Sequence, residues 1–257
     1  MLLKNQAVAN DRFTFTGDPV KGFNTAMAMS NKVRSNNPDT DFEIVYDSRT
    51  SEITLTFNRS SKISDFATLF GPGAVPGYLT DVDMQVIAEL SQDMPEGTFV
   101  EVGSFLGKST VEWARNFALN NKNHRIIAID SFNTNIDILR RLLSAAGFDV
   151  PDSASQLEMF QHYTQDHASI RPLEAFFNQE FVFDQKVAGV FEDSEHTQQA
   201  LSHALPYWWE RIVTGGILSG HDYLQREVQV SVDAFALLHD LTVHRPPAGS
   251  SIWWIKK

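Results

Sequence analysis

The rhythm of apolar and polar positions changes near residue 76 of this chain. Residues 1–41 are polar and weakly periodic. Phe42-Glu43-Ile44-Val45-Tyr46 and Ile53-Thr54-Leu55-Thr56-Phe57 then alternate apolar with polar on either side of the turn-compatible Asp47-Ser48-Arg49-Thr50-Ser51-Glu52, which predicts a β-hairpin. Gly71-Pro72-Gly73-Ala74-Val75-Pro76-Gly77 interrupts any regular element. The expected organisation is an N-terminal extension over 1–75 that carries the hairpin, followed by a domain over 76–257.

Beyond the breaker, Thr80 is placed to cap a helix, with Asp81 and Asp83 at the positive end of its dipole and Met84, Ile87, Ala88 and Leu90 on its buried side. Strand, turn and helix then repeat. Phe99-Val100-Glu101-Val102, Ile126-Ile127-Ala128-Ile129 and Val187-Ala188-Gly189-Val190-Phe191 are short apolar runs suited to strands buried on both faces. Helical patterns follow from about Ser109 to Asn120, from Ile136 to Ala146, around Gln156–Tyr163, from His196 to Val213 across Pro206, and from Arg226 to His239. Gly215-Gly216 turns into a further strand. Leu241–His244 and Ile252–Ile255 read as two final strands joined too closely to be parallel. The fold class expected is α/β: a Rossmann-like, doubly wound, mostly parallel sheet with an antiparallel C-terminal strand pair.

Composition narrows the partners. The chain has 257 residues and a net charge of -11, which disfavours broad attraction to nucleic-acid backbones and favours a small-molecule substrate. It contains no cysteine, so disulfides, thiolate metal sites and cysteine nucleophiles are excluded. No apolar stretch suits a signal peptide or a membrane span, and the expected location is cytoplasmic. A homo-oligomer is compatible with these features. Trp208-Trp209 and Trp253-Trp254 are read as packing, because neighbouring residues point in different directions.

In doubly wound sheets, ligands bind beyond the carboxyl ends of the strands, and the chemistry-bearing residues follow the strands here. Glu101-Val102-Gly103-Ser104-Phe105-Leu106-Gly107-Lys108-Ser109-Thr110 combines two glycines, which permit a tight turn and close ligand approach, with the amide groups of a helix start. The loop is one residue short of a phosphate-cradling Walker A loop, and Phe105 stands where a dinucleotide fingerprint needs its second glycine. A ligand with a small carboxylate, such as the methionine part of S-adenosylmethionine, remains. Asp130 ends the next strand, where a carboxylate can accept from ribose hydroxyls, with Ser131 beside it and Phe132 placed to pack on adenine. Asp193, His196, His221 and Asp222 lie at the ends of two further strands. Such a mixture suits divalent-metal binding, general-base chemistry, or simply capping and surface hydrogen bonds.

Residues 76–225 resemble the class I methyltransferases, and within them the methyltransferase 24 family. Val100 to Thr110 is similar to its Val-Glu-Ile-Gly-Ser-x-x-Gly-x-Ser-Thr motif, Phe191 to His196 to its Phe-Ile-Asp-Gly-Asp-His motif, and Gly215-Gly216 with Gly220 to Tyr223 to its Gly-Gly and Gly-His-Asp-Tyr motifs. Three positions depart: Glu192 replaces an apolar residue, Ser194 a glycine and Glu195 an aspartate. The resemblance implies S-adenosylmethionine as cofactor. Glu101, Gly103, Ser104 and Ser109 would hold its methionine moiety within a site that also includes Phe105, Gly107 and Thr110. Asp130, with Ser131 and Phe132, would hold the nucleoside. Asp166 is the acidic residue nominated for the adenine amino group. Asp193 and His221 would face the methyl-transfer cleft, with His221 the first candidate base and Asp193, also counted among the cofactor-binding residues, the second. Related enzymes bind magnesium near these places, which holds a magnesium site open at Asp193, His221 and Asp222.

The expected reaction is methyl transfer to a small-molecule oxygen by direct displacement. The alternatives are a nucleotide-dependent enzyme using NAD or ATP, and a non-catalytic protein that retains the methyltransferase fold.

Overall fold

The computed structural model describes residues 11–15, 26, 42–47, 49–50, 52–57, 74–148, 150 and 155–257. The chain divides into two compact units, one of 1–71 with 134–150 and one of 72–133 with 151–257. In the first, the expected hairpin is formed by β2 (Phe42–Asp47) and β3 (Glu52–Phe57), and β1 (Asp11–Phe15) adds a third antiparallel strand against β3. The central strand buries Ile53 and Leu55. Counted in chain order, the helix Ile136–Ala145, α3, also belongs to this unit.

The second unit holds a six-stranded sheet. Its strands are β4 (Thr98–Val102), β5 (Arg125–Asp130), β6 (Ile170–Glu174), β7 (Val187–Glu192), β8 (Ile212–Gly220) and β9 (Trp253–Lys256), in the spatial order β6-β5-β4-β7-β8-β9. All pairings are parallel except β8 with β9. Strand order runs one way from β4 to β6 and the other way from β7 onward. The switch point therefore lies between β4 and β7, where such sheets open a crevice at their carboxyl ends.

Each face of the sheet is covered by helices whose apolar stripes match it. On one face, α1 (Asp81–Asp93), α2 (Lys108–Leu119) and α4 (Gln156–Thr164) pack Ile87, Leu90, Trp113, Phe117 and Phe160 against Phe99, Ile126 and Phe191. On the other, α5 (Gln198–Arg211) and α6 (Arg226–Leu238) pack Leu201, Leu205, Trp208, Val232 and Phe235 against Val100, Val190 and Leu218. Local chemistry sets the helix starts. Thr80 and Asp83 form a reciprocal capping box on α1, Ser155 and Glu158 do so on α4, and Thr197 caps α5. Trp208 and Trp253 are fully buried, while their neighbours Trp209 and Trp254 are partly exposed, as alternate directions require.

Some expected boundaries move. Leu241–His244 is not a strand: only His244 bridges to Trp254, and β9 takes β8 as its antiparallel partner. Pro246 and Pro247 offer no amide donors for a longer ladder. The strand β6 follows a segment with no clear pattern and carries Pro172, which an edge strand tolerates. α5 continues through Pro206. No helix among the described residues is long and apolar enough to cross a membrane.

Candidate functional site

The turn after β4 closes directly on the strand across the switch point. Gly103 has φ +89°, and a Cβ built there would lie 2.1 Å from the carbonyl oxygen of Asp193 and 2.8 Å from the Ser194 Cα. Only glycine fits both the conformation and the approach. The turn continues through Phe105, itself left-handed at φ 48°, and Gly107 at φ 92°, into α2, which starts without a side-chain cap. Phe132 at φ 45° and Asp222 at φ 57° hold equally unusual conformations at the ends of β5 and β8. Three of the five non-glycine residues with positive φ among the described residues thus lie beyond the carboxyl ends of the strands.

Beneath the turn, Glu101 is fully buried on β4 and accepts a hydrogen bond from the Thr110 hydroxyl through Oε2. Its Oε1 and the buried Ser104 Oγ have no hydrogen-bond partner. Burial outweighs the nearby hydroxyls and pushes the Glu101 pKa up to about 7. A small cavity of about 40 Å³ opens at this turn, lined by Gly103, Ser104, Ser109, Asp193 and His221 and roofed by Gly77 and Tyr78, whose ring stacks on Phe105.

At the end of β5, Asp130 is half-buried and ties two loops together. It accepts from the Phe105 amide at 2.8 Å and the Phe132 amide at 2.7 Å. Each carboxylate oxygen keeps a lone pair for a further donor. Phe132, expected as the adenine platform, is 7% exposed and packs in the core, its ring meeting that of Phe160 edge-on at 5.3 Å. Asp166 lies in an exposed turn on the amino side of β6, whereas Glu174 is the acidic residue in register with Asp130 at the carboxyl end.

Across the switch point, β7 and β8 deliver the acid and imidazole groups. His196 Nε2 lies 3.1 Å from Asp222 Oδ2 and 3.5 Å from Asp193 Oδ1. His221 is 8% exposed; its Nδ1 is 3.5 Å from Asp222 Oδ2, and its Nε2 is 2.9 Å from Ser251 Oγ and 3.4 Å from Asp83 Oδ2. Burial works against the charged ring in both histidines. It is outweighed by the carboxylates close to each ring, Asp222 and Asp83 at His221 and Asp193 and Asp222 at His196, so both pKa values rise to about 10. The same pairs, set against burial, hold Asp222 and Asp83 well below the usual carboxylate range, while burial raises Asp193. Glu192, at the very end of β7, shares the parity of Val190 and so faces the apolar side. Its Oε1 accepts from Ser194, its Oε2 is buried without a partner, and burial raises it to about 7.

The arrangement suits an amino-acid-bearing ligand. The unpartnered Glu101 Oε1 and Ser104 Oγ can meet an ammonium group, the uncapped start of α2 can meet a carboxylate, and Asp130 can meet hydroxyls. Gly107 and Thr110 act from behind: a Cβ at Gly107 would strike Thr164 at 2.6 Å, and Thr110 supports Glu101. The cation expectation needs correction. Among the described residues, the groups that bring ligand atoms within 4.8 Å of one another are Asp193, His196 and Asp222, with His196 in the place expected of His221. The His221 Nε2 is turned instead to Ser251 and Asp83. An imidazole with two carboxylates is a poor match for magnesium, which prefers oxygen donors. Asp83 and Ser251 had no signal as site residues; the capping pattern around Asp83 was legible, its contact with a residue far along the chain was not.

Residues 100–223 match the protein family described as a methyltransferase domain. No curated protein matches the chain. Among solved structures, a precorrin-6y C5,15-methyltransferase from Geobacter metallireducens is similar at 12% identity and a TM-score of 0.48, over 69% of this chain and 90% of that one. CalS11, a TDP-rhamnose 3'-O-methyltransferase of calicheamicin biosynthesis, is similar at 15% identity and 0.46, over 68% and 77%. An O-methyltransferase dependent on S-adenosylmethionine from Thermotoga maritima is similar at 14% identity and 0.44, over 83% and 77%.

Proposed function

We propose, from the match of residues 100–223 to a methyltransferase domain, that the chain uses S-adenosylmethionine and methylates an oxygen of a small-molecule acceptor by direct displacement. The observation that carries this reading is the pairing, across one switch point, of the buried Glu101 Oε1 and Ser104 Oγ, which have no hydrogen-bond partner, with the cluster of Asp193, His196, His221 and Asp222. The cofactor, when bound, supplies a methyl group already activated on a sulfonium, so the protein has to align the acceptor and manage its proton. Glu101, Ser104 and the start of α2 hold the amino-acid end, and Asp130 with Ser131 holds the ribose.

Proton management falls to the far side of the cleft. His221, with its pKa near 10, carries a proton at neutral pH and is a poor base there. Asp193, half-buried on the same cavity and raised above an ordinary aspartate, is the better acceptor of the hydroxyl proton. The His221 imidazolium then stabilises the oxygen as it becomes negative. The net charge of -11 supports a small acceptor over a nucleic acid. The donor set of Asp193, His196 and Asp222 disfavours magnesium as a required ion. The test is conversion of S-adenosylmethionine to S-adenosylhomocysteine with a panel of hydroxylated acceptors. Asp193→Asn should abolish turnover while keeping product binding; an Asp193→Asn enzyme with full turnover would refute the assignment.

A further inference from the structure

Asp83 stands outside the segment matched by the methyltransferase family, and it is engaged far beyond a capping role. A capping box requires that its side chain accept from Thr80, which it does at 2.8 Å from both the amide and the hydroxyl. Capping residues do this at helix surfaces. Asp83 is 1% exposed, and its second oxygen accepts from Ser250 Oγ at 2.7 Å and from the Ser251 amide at 3.1 Å. Burying a carboxylate is costly unless its lone pairs are met, and here every bond beyond the cap leads to the 250–251 turn or to His221.

The His221 ring is held at both nitrogens. Ser251 Oγ and Asp83 Oδ2 meet Nε2, and Asp222 Oδ2 faces Nδ1. Its backbone is fixed as well, the amide donating to the Glu192 carbonyl at 3.3 Å and the carbonyl accepting from Trp253 Nε1 at 3.2 Å. Ser251 is fixed in turn, its carbonyl accepting from the Tyr223 amide at 3.0 Å. The ring borders the same cavity as Gly103 and Asp193. With both nitrogens met, its plane has little freedom to rotate.

We propose that Asp83 and Ser251 are positioning residues for methyl transfer, which lock the His221 ring against the acceptor side of the cleft through its Nε2. This rests on the reading of His221 as the imidazolium whose positive charge stabilises the acceptor oxygen. The start of α1 and the turn before β9 thereby become parts of the active site, although neither reaches the reacting atoms.

The experiment is a histidine-ring nitrogen–proton correlation spectrum of the full chain, taken without cofactor, with the His221 signals assigned by their loss in His221→Gln. Ser251→Ala should shift the His221 Nε2 resonance, Asp83→Asn should shift it further, and Ser251→Thr should return it toward the wild-type position. S-adenosylhomocysteine affinity should be unchanged in Ser251→Ala, since Ser251 does not itself line the cavity at the Gly103 turn. Ring resonances that stay at their wild-type positions in Ser251→Ala would overturn the proposal, and that variant leaves the α1 cap intact should Asp83→Asn fail to fold. Failure of the wild-type chain to bind S-adenosylhomocysteine would instead overturn the methyltransferase reading on which the ring's role depends.

Discussion

Replacing Glu192 by glutamine isolates the cost of a charge that the fold buries at the end of β7. The side chain is 3% exposed; its Oε1 accepts from the Ser194 amide at 3.2 Å and hydroxyl at 2.5 Å, and its Oε2 has no partner. Burial, partly offset by Ser194, raises its pKa from 4.5 to about 7. Each pKa unit corresponds to about 1.4 kcal/mol, so keeping this group ionised in the folded state costs about 3 kcal/mol. The folded state binds this proton more tightly than the unfolded chain. The penalty is therefore absent well below pH 4.5, grows as pH rises through the window up to about 7, and is constant above it. Glutamine keeps the acceptor for Ser194 and cannot ionise. Glu192→Gln should match the wild type in acid and exceed it by about 3 kcal/mol near pH 8. Urea unfolding followed by tryptophan fluorescence is the assay, because all five tryptophans lie in the second unit. A difference between variant and wild type that is the same in acid and in alkali would refute the reasoning.

Three further outcomes are expected. Gly103→Ala, whose Cβ would land 2.1 Å from the Asp193 carbonyl oxygen at a φ of +89°, should lose measurable binding of S-adenosylhomocysteine and destabilise the second unit; such strain costs on the order of 1–3 kcal/mol or more, read as a lower thermal midpoint. Asp130→Ala removes the acceptor of the Phe105 and Phe132 amides together with the ribose site, and the affinity for S-adenosylhomocysteine should drop by about tenfold or more in calorimetric titration. With Asp193 as base and His221 as imidazolium, turnover should hold across neutral pH and decline as pH passes about 10, whereas a rate that climbs through that range would make His221 the base.

The strands β4, β5 and β7 and the Gly103 turn were legible because short apolar runs and glycines act locally. The elements missed were those whose pattern is weak on its own. β6 carries Pro172 and exposed charges, and it is a strand because β5 offers a free edge in register from Ile126 to Asp130. β1 lies in a polar stretch and gains its place from β3. Leu241–His244 looked like a strand from its alternation, but the prolines that follow limit it to one bridge. In the site, sequence order placed Asp193, His221 and Asp222 near one another. It could not say which imidazole would fall between the carboxylates, since that depends on the loop that Glu192 and Ser194 fold after β7. Phe132 shows the same limit: the sequence puts it two residues after Asp130, and only the fold shows its ring packed against Phe160 in the core.

The central claim is tested most directly by calorimetric titration of the chain with S-adenosylmethionine, S-adenosylhomocysteine, ATP and NAD. Saturable binding of the two S-adenosyl ligands, weakened by Asp130→Ala and not matched by ATP or NAD, is the predicted result. Binding of ATP or NAD without binding of either S-adenosyl ligand would contradict it.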